Sequence, residues 1–295
     1  MEMQPRPLRE PSKPLPALAC DTHAHVFGPF DRFPLAPERR YTPPLAPFES
    51  YLAMLDLVGF DRGVVVQAAA NGFDCRGTLD ALARAPRRLR GIVVVPLETP
   101  DSEIDAMSLV SVRGLRFTET AAPAAPAAPK PAGTLDLADL AEWGPRLREL
   151  GWHAQIWANC QRFVKAAPAL LRLNIPLVVD HMGYFNAAAG VGDPVFASLL
   201  ELLSSGRIWV KLPVIRNSTL SPNYADVRPF HDALLRAAPD RLLWGSDWPY
   251  IGLNDDPPNV GALLDLFDRW VDDDVLREKI LVDNPTALYG FCEGS

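Results

Sequence analysis

Residues 62–96, RGVVVQAAANGFDCRGTLDALARAPRRLRGIVVVP, carry a β-rich apolar run at each end, RGVVVQA (62–68) and GIVVVP (91–96), with the helix-length pattern TLDALARAP between them. Neither run alternates apolar with polar residues, as a strand with one wet face does. Near-continuous apolar strands belong to parallel sheets whose two faces are both covered by helices. The stretch therefore reads as one β-α-β unit.

Working outward, the unit recurs. ALACDTH (17–23), VRGLRF (112–117), WHAQIW (152–157), PLVVDH (176–181), RIWVKLP (207–213) and RLLWGSD (241–247) bring the predicted strands to eight. Between most of them lie helical patterns such as PFESYLAMLDLVG, LADLAEWGPRLRELG, PVFASLLELLSSG and VRPFHDALLRAAP, several closed by Gly or Pro. Eight β-then-α units predict a (β/α)8 TIM barrel over residues 17–295, preceded by a proline-rich extended arm at 1–16. The alternative, an open doubly wound sheet, is disfavoured because no strand is followed by G-x-G-x-x-G or a Walker loop, and GVGD (190–193) reads as a turn. Residues 120–133, TAAPAAPAAPKPAG, are too rich in proline for a helix. They read either as a surface insert or, because they follow the fourth strand, as a lid over the mouth.

A net charge of -7, spread along the chain, gives no basic footprint for nucleic acid or an acidic membrane surface. No apolar run approaches the roughly 18 residues of a membrane span. Cys20, Cys75, Cys160 and Cys292 form no C-x-x-C pair, and the first residues lack the apolar core of a signal peptide. The expectation is a cytoplasmic protein acting on a small molecule, with no nucleic-acid or membrane partner and with homo-oligomerisation left open.

In a barrel, the C-terminal ends of the strands face the reaction centre. Those ends carry His23 and His25, Gln67, Arg116, Trp157, Asp180 and His181, Lys211 with Arg216 beyond it, and Asp247. The strand period of two turns His23 and His25 inward together, so their imidazoles can converge on one oxygen or one metal. His23, His25, His181 and Asp247 would be costly to bury together without a task. His153 opens the fifth strand, which points it at the far end in a structural role. His231 reads as the outer surface of a helix. Trp143, Trp209 and Trp270 read as core and Trp248 as a wall of the site, VDDD (271–274) opens a helix, and no G-x-S-x-G elbow supports a serine esterase.

The segments CDTHAHVFGPFDRFPLAPERRYTPP, RGLRFTE, GWHAQIW, PLVVDHMG, LLWGSDWPY and ILVDNPTALYGF resemble, in that order, the amidohydrolase superfamily, in its branch typified by pyrone-dicarboxylate lactonases. The resemblance runs from Ala17 to Phe291. It implies a barrel that hydrolyses a carboxylate-bearing lactone without a tightly bound metal. Asp247 would then be the general base, and His23, His25 and His181 would polarise the carbonyl and hold the oxyanion. Arg116, Arg216 and Tyr41 match positions that contact substrate there.

Departures from that pattern matter equally. Binuclear relatives carry a carbamylated Lys where strand four here ends at Arg116, and mononuclear ones a His where Trp157 stands. A divalent metal such as zinc would have His23, His25, His181 and Asp247 as ligands. Ala69 and Asn71 replace a Ser and a His, Trp157 a Tyr, and Tyr184 an Arg; the Ala/Pro insert replaces a loop arginine, with Lys130 able to restore one cation if it closes. These departures imply a substrate with fewer negative charges or a different skeleton, bulkier and more aromatic near Trp157 and Tyr184, with Asn71 also among the residues that would contact it. The alternatives are a sugar-acid lactone isomerase, a metal-dependent decarboxylase of the same superfamily, and a non-catalytic small-molecule-binding barrel.

Overall fold

The computed structural model describes residues 8–119, 133–253 and 257–291. The insert at 120–132, with Lys130, lies outside them. Eight strands follow one another in sheet order, every neighbouring pair parallel: β1 (Cys20–Ala24), β2 (Arg62–Val66), β3 (Leu89–Val93), β4 (Val112–Glu119), β5 (His153–Ala158), β6 (Leu177–Val179), β7 (Ile208–Lys211) and β8 (Leu242–Leu243). The two edges meet through Thr22 N–H to Trp244 O at 3.1 Å, Asp247 N–H to His23 O at 2.8 Å and His25 N–H to Trp248 O at 2.8 Å. The predicted (β/α)8 barrel is the observed one.

The observed strands differ by a few residues from the predicted runs, and two of the differences have a visible cause. β3 ends at Val93 because the next amide, Val94, donates to the Gln67 side chain at 2.8 Å instead of to a backbone carbonyl. β8 spans only Leu242–Leu243, since Asp247 turns into the left-handed region at φ 58° and the ladder gives way to single bonds.

Helices fill the crossovers: α1 (Phe48–Val58), α2 (Arg76–Arg84), α3 (Asp101–Leu109), α4 (Leu137–Leu150), α5 (Cys160–Leu170), α6 (Pro194–Ser204), α7 (Arg228–Ala237) and α8 (Val260–Trp270). Their starts follow from side chains that accept exposed amides: Asp136 for α4, Asn159 for α5, Asp193 for α6 and Asn259 for α8. A terminal segment adds α9 (Asp274–Glu278), capped by Asp273, and α10 (Asn284–Tyr289). Among the described residues no helix is long and apolar enough to cross a membrane.

The main core lies between the sheet and the helices, while a second cluster fills the barrel's own interior: Cys20, Val64, Val66, Ile92, Val178, Trp209 and Leu243, closed from below by Tyr289 and Phe291. Arg62 and Arg90 cover the Phe291 ring at 4.9 and 4.2 Å. The N-terminal end of the barrel is thus plugged, which leaves the other mouth as the open one. Outside the barrel, residues 8–16 run over α8 and α9, where Asp265 accepts from Arg9 at 2.6 Å and from the Ser12 amide at 2.6 Å.

Candidate active site

Strand parity alone would put Asp21 and His23 on one face. A bulge between Asp21 and Ala24 breaks that parity. Cys20 stays in the interior and Asp21 turns outward, accepting from the Ser246 amide at 2.8 Å, the Ser246 hydroxyl at 2.7 Å and the Tyr51 hydroxyl at 3.3 Å. His23 and His25 both enter the mouth, their ring centroids 5.1 Å apart, with the His181 ring 5.0 Å from that of His23. His181 and Asp247 each sit where the chain leaves a strand, at φ 51° and 58°. His and Asp are among the non-glycine residues that tolerate this region, at a cost of order 1 kcal/mol or more. Backbone bonds hold both turns: Tyr184 N–H to His181 O at 2.8 Å and Tyr250 N–H to Asp247 O at 2.9 Å.

The imidazoles and Asp247 converge. His25 Nδ1 lies 2.6 Å from the Val66 carbonyl, which can only accept, so Nδ1 carries the proton and Nε2 presents a lone pair to Asp247 Oδ1, 3.5 Å away. His23 Nδ1 faces Asp180 Oδ1 at 3.3 Å, and its Nε2 stands 3.7 Å from the same Asp247 oxygen. Among the described residues His23 Nε2, His181 Nδ1 and Asp247 Oδ1 are buried without a hydrogen-bond partner. The Asp247 oxygen and the two imidazole Nε2 atoms that face it, those of His23 and His25, need a donor or a cation between them. His23, His25 and Asp247 offer ligand atoms within 4.8 Å of one another, and the 3.5 and 3.7 Å separations suit a tetrahedral ion with ligands at about 2.1 Å. The donor set therefore fits a divalent cation.

Beneath this layer lies a charged one. Lys211 is fully buried and donates to Thr22 O at 2.7 Å and Gln155 Oε1 at 2.8 Å. Asp180 accepts from Gln155 Nε2 at 3.2 Å and Arg116 Nη2 at 3.4 Å. Burial pushes the Asp180 carboxyl up, but His23, Lys211 and Arg116 outweigh it and hold it below the usual carboxylate range. Asp247 is likewise resisted by burial yet held well below that range by Arg216 and the imidazoles. Burial brings Lys211 down to about 8 and His181 to about 4.

Of the residues proposed from the sequence to bind substrate, Arg116 and Arg216 are already engaged, Arg116 with Asp180 and Arg216 Nε with Asp247 Oδ2 at 2.6 Å. Trp157 meets His181 edge-on at 5.4 Å and Tyr184 at 6.1 Å, with the Arg116 guanidinium 5.3 Å from its ring. Burial raises the Tyr41 hydroxyl, which also feels Arg116, Arg216 and Asp247. Asn71 lines a groove with Pro34, Phe73 and Gly133.

Two other expectations are corrected. His231 is buried, its ring 5.0 Å from that of Trp270, because α7 turns it against α8 and not toward solvent. Trp248 does not wall the site; it stacks on Tyr51 of α1 at 5.6 Å, behind the barrel. Sequence reasoning placed Asp180 and Lys211 on the rim without a role and missed Gln155. The signal was parity: Gln155 shares a face with Trp157, and Lys211 is a charge inside an otherwise apolar run.

The match to known proteins follows the same frame. The family model described as amidohydrolase matches residues 20–291. A 4-sulfomuconolactone hydrolase of Rhizobium radiobacter is 38% identical over 94% of this chain and 91% of its own. A 2-pyrone-4,6-dicarboxylate hydrolase of Comamonas testosteroni is 36% identical over 95% and 93%. The crystal structure of an Acinetobacter baumannii protein, named as a probable 2-pyrone-4,6-dicarboxylic acid hydrolase and holding citric acid, superposes with a TM-score of 0.80 at 26% identity, over 93% of this chain and all of that one. A barrel whose mouth gathers an H-x-H pair, a strand-six histidine and a strand-eight aspartate, matched by that family over nearly its whole length, makes this chain an enzyme of the amidohydrolase family.

Proposed function

We propose that the protein opens an anionic lactone by hydrolysis, with Asp247 taking the proton from the attacking water. The observation that carries this is the free Asp247 oxygen, Oδ1, facing the lone pairs of His23 and His25 in a buried mouth. A water there donates one hydrogen to Asp247 and the other to an imidazole, which points its own lone pair outward. That oxygen attacks the carbonyl carbon, its proton passes to Asp247, and the carbonyl becomes an oxyanion. Collapse breaks the ring C–O bond, and the leaving alkoxide takes the proton back, giving a hydroxy acid.

His25, with its one proton on Nδ1, orients water instead of polarising the carbonyl. His181, whose Nδ1 has no protein partner among the described residues, is the imidazole placed to donate to the oxyanion. A divalent cation held by His23, His25 and Asp247 would supply a Lewis acid to the same carbonyl. Three cations, Lys211, Arg116 and Arg216, already face the two carboxylates Asp180 and Asp247, which favours an anionic substrate and a reaction that runs without a tightly bound metal. Support for a lactone bearing a carboxylate or sulfonate comes from the relatives' substrates and from two guanidinia at the mouth.

A pH-indicator screen of anionic lactones, run with and without EDTA, tests the reading. The expected result is turnover that survives chelation and falls by about a thousandfold in Asp247→Asn, the scale of a lost general base. Loss on chelation with recovery on added zinc would assign the activation to the cation, and full activity in Asp247→Asn would remove the base.

A further inference from the structure

Both arginines expected to meet the substrate's charge are bound to carboxylates of the protein, but in different ways. Arg116 is buried at 4% exposure, and its partner Asp180 also accepts from Gln155 and faces Lys211. That pair is buried on both sides, and Arg116 Nη1 also donates to Gln67 O at 3.3 Å. Arg216 instead comes from the loop after β7, with its side chain 17% exposed against 1% for Asp247, so the guanidinium lies between the acid and solvent. Its Nε donates to Asp247 Oδ2 and its Nη1 to Ile251 O, both at 2.6 Å, while no bond of its Nη2 appears among the described residues. The acid cannot follow if the guanidinium moves, because its backbone is pinned at both ends, by His23 O and by the Tyr250 amide. The loop is pinned as well, by Asn217 Nδ2 to His181 O at 3.0 Å. Of the pair, the Arg216 side chain is the member that solvent reaches.

We propose that Arg216 is a displaceable clamp on Asp247: the anionic group of the substrate competes for the guanidinium and draws it off, so that recognising the anion and freeing the base are one event. A carboxylate or sulfonate offers the planar fork two oxygens where Asp247 offers one, which makes the exchange favourable. The site then prefers anionic over neutral lactones at the chemical step as well as at binding. The kinetic consequence rests on the lactone reading above; the internal competition between two anions for one guanidinium does not.

Calorimetry with isophthalate, a dicarboxylate with no bond to hydrolyse, tests the competition in the native protein, Asp247→Asn, Arg216→Gln and the double variant, with thermal melts confirming that each is folded. Asp247→Asn is expected to bind about tenfold tighter than the native chain, and the same change in the Arg216→Gln background to gain about twofold or less, the difference being the coupling energy of the pair. No gain, an equal gain in both backgrounds, or no binding by any of the four overturns the clamp. These outcomes are read without turnover, so failure of the lactone reading shows separately, as a native protein that opens no lactone. In turnover, Arg216→Gln is expected to raise kcat for an uncharged lactone about threefold while lowering kcat/KM for an anionic one about a hundredfold. Neutral turnover that falls or stays unchanged overturns the proposal.

Discussion

Lys211 shows how much charge the site keeps away from water. Its ammonium has no solvent contact, and two of its three protons go to Thr22 O and Gln155 Oε1, leaving the third to face Asp180 Oδ1 at 3.9 Å. Taking such a group out of water costs several kcal/mol, which only its partners repay. Lys211→Met removes the cation and leaves Asp180 with Arg116, Gln155 and His23. We expect a loss of about 3 kcal/mol or more in urea unfolding, the scale for breaking a buried pair. A change below about 1 kcal/mol would mean that Asp180 does not depend on the ammonium.

At the scale of elements, the site depends on how β8 meets β1. A Cβ added at Gly245 would lie 2.7 Å from His23 Cβ and 3.0 Å from its backbone nitrogen, and a backbone atom cannot swing aside as a side-chain tip can. Gly245→Ala should therefore push β1 outward at the residue that carries the first imidazole. The expected outcome is a loss of about 1–3 kcal/mol with a larger fall in kcat than in thermal stability implies. A melt and a rate assay on the same sample check it, and an unperturbed rate would show that the bulge absorbs the shift. The bulge itself was not legible in CDTHAHVF, where strict alternation already turns both histidines inward; it became visible only through the outward Asp21, held by Ser246 from the opposite edge of the barrel.

For the whole molecule, two histidines far from the mouth tie stability to pH. His153 packs edge-on to Tyr289 in the barrel plug at 5.4 Å, and His231 lies between α7 and α8 against Trp270. Burial holds His153 down at about 3 and, against the pull of Asp232, His231 at about 4. The unfolded chain takes up these protons near 6.5, so between 6.5 and 4 it binds protons that the folded chain refuses. Stability thus falls as pH drops through that window, by about 2 kcal/mol per histidine at pH 5. Thermal midpoints measured from pH 7 to 5 should decline, and the decline should be shallower in His231→Gln. A flat profile would show that neither ring is kept neutral.

The succession of apolar runs and helical patterns determined the barrel by itself, because a β-α-β repeat with both sheet faces covered has few ways to close, and each strand's last residues then fall at one mouth. That His23, His25, His181 and Asp247 meet at that mouth was legible for the same reason: they are strand-end residues, and strand ends follow from periodicity. What those side chains do to one another was decided only in three dimensions. Whether Arg216 meets Asp247 or a substrate, which nitrogen of His25 carries the proton, and whether His231 faces water or Trp270 all depend on groups brought together from distant parts of the chain, polar atoms to 2.6 Å and ring centroids to 5.0 Å. Hydrogen bonds and ion pairs act over such distances, whereas sequence spacing reports only direction along one element.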